Sequence, residues 1–425
     1  MKVVRNASVL FVCTTAGNAA NYFFQFLMGR YLSIEDYGAM NALLSLVTSI
    51  TLPTSAVMIV VAKYASTYSA RGEADGMASL YGGSIKKVSA IAFVITAAFV
   101  LLSGVMRAYL KIDDTTSVLI LSIGVLGSFI LTVNFGMLQG MQRFYWLGAG
   151  MGLSGAARLL LAGAFVMMGM RLNGALLATV LPYLLIFALT AVPLRQYIGG
   201  AKTGFRHEQV LSYSVPVLAA SILFAFLSNA DVIMAKHFLA ARDAGIYAAV
   251  AVLGKTMFYL PSSFALAVFP MVSVSDALNG DSFKILDRAL LFTAVMCAAV
   301  LVVFVAVPER IMGGLFGGRF VAGAVLLKYY GAAMFCLAVL SIIISFNLAR
   351  GKTAFIYSLA AGCVMLVAII NIFHEDISQV VAAIAGVFTL VAAYNMVSLW
   401  RERHVYYRAR ACGSALAQGS PDPEL

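Results

Sequence analysis

Three observations predict an all-α fold: a polytopic membrane protein of about twelve transmembrane helices, in two parallel six-helix lobes around a central cationic cavity. The first is composition. Of the 425 residues, 62% are hydrophobic and only 11% are charged. A soluble domain carries about 25% charged residues, so this chain cannot coat a globule in water, and its mean hydropathy is +0.94. The second is the apolar run length of about 20 residues, which is a membrane helix. In hydrocarbon every backbone polar group must be satisfied within the chain, leaving helices or closed barrels, and barrel strands would alternate over about 10 residues. The third is an internal repeat, set out below.

Broken at charged and Pro/Gly-rich joints, hydropathy places spans at 7–29, 38–62, 88–105, 116–138, 147–170, 173–192, 211–235, 245–272, 288–307, 323–347, 354–373 and 378–400. The third is short. A tight turn around Arg171 and Asn173 joins the fifth and sixth. The first run is long enough to span and shows no small-residue cleavage site, so no cleavable signal peptide is expected.

Charge then orients the chain. With the N-terminus in the cytoplasm and every span crossing, eighteen of the 29 Lys and Arg residues fall on the cytoplasmic side and nine outside, with Arg158 and Lys255 inside spans. That bias is the one the positive-inside rule expects. The predicted location is a bacterial inner membrane with both termini cytoplasmic. The net charge of +11 then reflects orientation, and no soluble domain is present to bind nucleic acid. After the last span, Arg401, Arg403, His404, Arg408 and Arg410 surround Tyr406 and Tyr407, a juxtamembrane segment suited to anionic headgroups. From Ala411 the tail turns small and polar, and disorder is expected. Cys13, Cys297, Cys336 and Cys363 lie in apolar spans and Cys412 in the tail, without metal-ligand spacing, and read as small core residues.

The repeat fixes the architecture. Leu32-Ser-Ile-Glu-Asp36-Tyr-Gly38 follows span 1, and Leu239-Ala-Ala-Arg-Asp243-Ala-Gly245 follows span 7 with the same spacing. Asn21 and Asn229 precede these segments, and Pro53 and Pro261 follow them. Spans 1–6 and 7–12 are therefore copies. Six crossings is an even number, so both copies run in the same sense about an axis along the membrane normal. The expected units are a lobe at 1–192, a basic cytoplasmic linker at 193–210, a lobe at 211–400 and the tail at 401–425.

Few residues have functional potential. Asn18, Asn21 and Gln25 form one polar stripe on the first span; it either bonds neighbouring helices or lines a wet cleft. Arg158 and Lys255 lie 11 and 10 residues into their spans, about 15 Å deep at about 1.5 Å per residue, near the midplane of a core about 30 Å thick. Intramembrane charge costs at least about 2.5 kcal/mol and marks pathways or pairs. No acidic residue is expected at their depth; Asp231, near the outer end of span 7, is the only carboxylate within a span. Arg30 and Lys236 close the outer ends of spans 1 and 7, as snorkelling residues or as ligands. Asp231 and Lys236 are expected to pair at an outer gate or ion-coupling site. Asp36 and Asp243 fit helix N-termini, with Ser33 to Asp36 resembling a capping motif. Gly254-Lys255-Thr256 and Gly351-Lys352-Thr353 lack the earlier glycine of a phosphate loop. Four histidines near membrane edges leave little to build a catalytic centre, and no metal or other cofactor is expected.

The stretch from Asn21 through Gly29-Arg30-Tyr-Leu-Ser-Ile-Glu-Asp36-Tyr-Gly38 resembles the opening signature of the polysaccharide transporter family. These are the Wzx-type flippases of the multidrug/oligosaccharidyl-lipid/polysaccharide superfamily. Asn229-Ala-Asp231, Ala244-Gly245-Ile-Tyr247-Ala248-Ala249, Lys255, Pro261 and Phe269-Pro270 resemble its second half. The resemblance implies a V-shaped pair of lobes and a polyprenyl-pyrophosphate-linked glycan moved to the periplasmic leaflet for O-antigen, capsule or exopolysaccharide assembly. Arg158, Lys255 and Arg30 would then offset the charge of the pyrophosphate. The implied partners are membrane lipid, a glycan polymerase and a chain-length regulator, with the protein itself a monomer. The alternative is a cation-coupled multidrug exporter of the same superfamily, whose cavity should instead be acidic.

Overall fold

A computed structural model describes residues 2–198, 208–261, 271–272 and 281–418. Its helices are α1 (Lys2–Tyr31), α2 (Ile34–Thr51), α3 (Thr54–Arg71), α4 (Ala74–Leu101), α5 (Ser103–Tyr109), α6 (Thr116–Gly140), α7 (Phe144–Met167) and α8 (Arg171–Ala191). There follow α9 (Glu208–Phe238), α10 (Ala241–Gly254), α11 (Ser282–Ala306), α12 (Pro308–Phe316), α13 (Ala324–Ala349), α14 (Phe355–Ile372) and α15 (Ile377–Gln418). Among the described residues, eleven segments are long and apolar enough to cross a membrane. The first helix, α1, adds a further 30 residues. The protein is an all-helical, multi-pass membrane protein.

Several boundaries move for local reasons. Span 2 is α2 and α3 in series, broken at Leu52–Pro53, because proline at 53 has no N–H to continue the ladder. It ends at Gly72, whose φ of 67° closes the helix in the left-handed region. Span 3 is not short: α4 runs 28 residues from Ala74, and its exposed Lys86 and Lys87 are carried on a helix that starts before them. The turn between the fifth and sixth spans falls at 168–170, just before the expected Arg171 and Asn173, which open α8, with Arg171 at φ 40° and held by Asp36 at 3.1 Å. Ser33 caps α2, accepting the N–H of Asp36 at 3.0 Å, whereas α10 has no side-chain cap. Disorder after Ala411 is overturned to Gln418, since α15 continues as helix through that point on alanine- and arginine-rich sequence of good helix propensity. Parts of three expectations lie outside the described residues: the linker at 199–207, the end of span 8 with Phe269-Pro270, and the tail from 419. Cys297 and Cys363 are buried and Cys13 and Cys336 half-buried, all four free thiols.

The first half gathers α1 on α7, and α6 against α3, α4 and α8; the second gathers α13 with α11 and α15, and α14 with α9 and α15. The two halves meet chiefly where α2 lies against α9 and α10. Alternating crossings put Arg30, Tyr109, His237 and Arg319 at one face, the Arg30 face, and Arg71, Arg350 and Glu402 at the other. At the Arg30 face the two repeat glycines touch: a Cβ on Gly38 would lie 2.8 Å from the Gly245 nitrogen, and one on Gly245 only 2.0 Å from the Ile34 carbonyl oxygen. The repeated Leu-x-x-x-Asp-x-Gly segment is thus the surface through which the halves join.

Candidate functional site

Glycine places the first cluster. Helices α1 and α7 run parallel with backbones in contact; a Cβ on Gly155 would come within 2.3 Å of the Gly17 carbonyl oxygen, the close approach that small residues permit in membranes. One turn on, this contact sets Arg158 against α1. Its Nη1 donates to Asn21 Oδ1 at 3.3 Å, and its guanidinium lies 4.0 Å from the centre of the Phe24 ring. The cation–π contact is worth about 0.5–2 kcal/mol, well short of the several kcal/mol that desolvating a charge costs. No carboxylate forms an ion pair with Arg158 among the described residues. The Arg158 Nε and the Tyr22 hydroxyl are both buried without a hydrogen-bond partner. Arg158 thus keeps a spare donor and spare positive charge.

The second cluster has the same anchor. Lys255, at the C-cap of α10, donates from Nζ to Asn229 Oδ1 at 3.3 Å. Asn21 and Asn229 are the repeat-related asparagines, so one repeated amide holds a cation in each half. The cations come from different places: Arg158 from the fifth span, Lys255 from the eighth.

Here the expectation of unneutralised charge fails for Lys255. Its Nζ is 3.7 Å from Asp231 Oδ1, with side-chain exposures of 12% and 0%. Asp231 Oδ2 also accepts from the Tyr247 hydroxyl at 2.8 Å and the Tyr330 hydroxyl at 2.6 Å. Counting residues from helix ends set the two at different depths. Side chains, however, tilt toward the N-terminus of their helix, and α9 and α10 are antiparallel. Lys255 therefore reaches toward the Arg30 face while Asp231 leans away from it, and they meet. Gly254 clears the way for Tyr330, whose ring carbon would be 2.2 Å from a Cβ there. The expected Asp231–Lys236 pair is absent for the helical reason: five residues separate them by about 140°. Lys236 is buried and lies within electrostatic reach of Asp113, Asp36 and Glu35.

The remaining expected site residues divide. Gln25 accepts from the Tyr37 hydroxyl at 3.2 Å, and Asn18 is exposed. Arg30 is at the junction of the halves, donating to the Leu315 carbonyl at 3.2 Å and also to that of Gly314. In return Arg319 donates to the carbonyls of Gly29 at 3.1 Å and Arg30 at 2.5 Å. Beneath this reciprocal clamp, Phe316 meets Phe26, Tyr37 and Phe320 edge-on or tilted at 5.4–5.8 Å. Nearby, His237 stacks on Tyr109 at 3.9 Å and its Nδ1 bonds the Tyr109 carbonyl at 2.7 Å. Asn229 carried a signal in the repeat and Tyr247 in the second-half resemblance; Tyr22, Phe24 and Tyr330 had none that separates them from ordinary aromatic core.

Residues 3–275 match the family model described as polysaccharide biosynthesis protein. No curated protein matches the chain significantly. Among solved structures, an inward-facing multidrug-resistance MATE transporter of the MOP superfamily aligns at a TM-score of 0.76 and 14% identity, over 96% of both chains. The lipid II flippase MurJ, in an inward closed conformation, aligns at 0.66 and 13% identity, over 93% of this chain and 87% of that one. An outward-facing MATE transporter aligns at 0.64 and 15% identity, over 98% and 97%. At these identities the likeness is one of fold.

Proposed function

The chain belongs to the polysaccharide biosynthesis protein family, and we propose that it is a flippase of the MOP superfamily, moving a polyprenyl-pyrophosphate-linked oligosaccharide from the cytoplasmic to the periplasmic leaflet. The observation that carries this reading is Arg158: a guanidinium in mid-span, with no carboxylate on it among the described residues and a buried Nε left unbonded. A pyrophosphate supplies what this corner lacks. Guanidinium offers a planar, bidentate fork to phosphate oxygens. Lys255 is the second cation, preset by Asn229 and Asp231, while the lipid tail stays in the bilayer beside the cleft. The Arg30 face is periplasmic by the charge bias, so the closed clamp there corresponds to an inward-facing state that loads from the cytoplasm. The protein works as a monomer in the inner membrane, with both termini cytoplasmic, beside a glycan polymerase and a chain-length regulator.

The second reading, a cation-coupled multidrug exporter, draws support from the buried Asp231. That carboxylate already has an ammonium and two hydroxyls, which leaves little charge for a cationic drug. The test is surface display of the glycan in a flippase-deleted strain, with protein measured in the same membranes. Arg158→Gln should accumulate yet lose most display, Lys255→Gln, which leaves Asp231 without its cation, should accumulate less and lose most display per protein accumulated, and Arg158→Lys should keep part of it. Wild-type display by both glutamine variants would end the cationic-site reading. Drug efflux that survives in Arg158→Gln would favour the exporter.

A further inference from the structure

At the Arg30 face two helices end against each other, and the carbonyls of a last turn have no acceptor role left inside their own helix. In α1 these include Gly29 and Arg30, and in α12 Gly314 and Leu315. Two arginines supply the missing donors, each to the other half. Arg30 donates from Nε to Leu315 at 3.2 Å and from Nη2 to Gly314. Arg319 lies on the 3-10 turn Gly318–Gly323 that leads into α13. Its Nη2 donates to Gly29 at 3.1 Å and to Arg30. Both arginines are exposed, and neither forms an ion pair among the described residues. A Cβ on Gly314 would meet nothing within 4 Å, so the clamp stands at the water boundary.

The donors that the clamp uses are the ones an anion would need. Nε and Nη2 form one edge of the Arg30 fork, and such an edge grips two phosphate oxygens side by side. In the closed face that edge is committed to two neutral carbonyls. When the halves part, Arg30 leaves with α1 and Arg319 with the α12–α13 turn, and both lose their acceptors together. Two guanidiniums then stand on opposite walls of the mouth with no carboxylate on either. An ionised phosphate oxygen adds a Coulomb attraction that a carbonyl lacks. Closed clamp and bound anion are therefore alternatives for the same donors.

We propose that Arg30 and Arg319 form an anion site at the outer mouth of the cleft, complete only when the Arg30 face is open, and that a pyrophosphate reaching it takes the clamp's donors and holds that face open. The proposal rests on the pyrophosphate reading of Arg158. Arg158 bonds Asn21, and Arg30 is nine residues further along the same helix, about 14 Å nearer the outer face at about 1.5 Å per residue. Around the helix, Asn21 is turned to α7, whereas Arg30 shares the side of Phe26, which meets Phe316 of the second half at 5.4 Å. One helix thus carries a cationic station in mid-span and another at its outer end. An anion that binds only the open face shifts the equilibrium toward it. The departing group itself would then drive the outer face apart, and Arg319 is the second-half residue that makes the site.

The test uses the full chain with its native cysteines replaced and spin labels at Asp113 and Glu309, one on each half at this face. Inorganic pyrophosphate is the probe, exchanged against sodium chloride at constant ionic strength. The ratio of long to short distances should rise about elevenfold at ten times the dissociation constant. Arg30→Gln/Arg319→Gln removes clamp and site together, so it should begin at longer distances and gain nothing from pyrophosphate. Arg319→Lys keeps the charge and should keep part of the response, where Arg319→Gln should lose most of it. A wild-type distribution that pyrophosphate leaves unmoved would overturn the site, and so would equal responses in Arg319→Lys and Arg319→Gln. The shift should survive Arg158→Gln. Its loss there would assign the anion to mid-span and sink the outer site alone, whereas undiminished glycan display in Arg158→Gln would sink the central reading and leave the spin-label result standing.

Discussion

Gly245→Ala tests whether the repeat segment is the hinge surface of a gate. Its missing side chain is what allows the halves to touch: the added carbon would lie 2.0 Å from the Ile34 carbonyl oxygen and 2.5 Å from the Ile34 methyl. Ordinary carbon–oxygen contact needs well over 3 Å, and both the oxygen and Gly245 belong to helix backbone. The strain therefore cannot be absorbed by a rotamer; α2 and α10 must part by about an ångström. Overpacking of this kind costs about 1–3 kcal/mol. Any state in which the Arg30 face is open escapes that cost, so the closed-to-open ratio should fall by a factor of about 5–150. The assay is pulsed electron spin resonance between labels at Asp113 and Glu309, one on each half at that face, in a protein whose native cysteines are replaced. Gly245→Ala should move the distribution to longer distances. Gly82→Ala, where nothing lies within 4 Å of the new carbon, should leave it alone. A folded Gly245→Ala protein with an unshifted distribution would refute the gate, and the glycine contact would be mere packing.

Asp231→Asn should leave Lys255 buried without its anion and lower stability by about 3–5 kcal/mol; thermal unfolding in detergent reads this, and Asp231→Asn/Lys255→Met should recover most of it. If the double variant is no better than the single, the pair is not what Asp231 supports. At the Arg30 face, Asp114 accepts the Thr116 N–H at 2.8 Å and an Asn173 amide N–H at 3.2 Å, and the Thr116 bond is the main reason its carboxyl sits below the usual 3.8. Its contribution is thus present above the unfolded value and lost as pH falls through the lower folded one, so a carboxyl carbon NMR titration should show the loop anchored at pH 5 and a midpoint under 3.8; a midpoint above it would contradict the bonding. Reporters inserted after Asp113 and fused after Gln418 should read periplasmic and cytoplasmic, and the opposite pattern would reverse the proposed direction of loading.

The fold was legible because hydropathy acts over whole helices and the repeat acts over whole lobes. Errors arose where a single side chain's direction matters. Depth counted along the chain treats a residue as its Cα, yet lysine spans several ångströms and leans toward its helix N-terminus, so Asp231 and Lys255 meet from positions that looked separate. Arg158 was legible for the converse reason: its neighbours on α1 are Asn21 and Phe24, neither of them able to cancel a charge. Arg30 had no such signal, because backbone carbonyls of a distant helix end are invisible in side-chain patterns. The α15 extension was misread past Ala411 because small polar residues describe a disordered tail and a modest helix equally well.

What the repeat keeps and what it lets go separates scaffold from chemistry. The glycines at 38 and 245 and the asparagines at 21 and 229 are duplicated, and each pair does one job twice: the glycines admit the opposite backbone, the amides hold a cation at 3.3 Å. The cations themselves are not duplicated, and their compensation differs. Lys255 is held by a fully buried carboxylate with two tyrosine hydroxyls; Arg158 has an aromatic face and a neutral amide. A symmetric binder would bring equal charge to both halves. An elongated substrate whose anionic group occupies one end of the cleft needs strong, exchangeable charge on one wall and a fixed, partly neutralised charge on the other. Swapping the compensation tests that division. A carboxylate placed beside Arg158 by Asn21→Asp should silence display while leaving the fold intact, since it supplies internally the anion that the substrate brings. Undiminished display in Asn21→Asp would mean that Arg158 does not meet the pyrophosphate.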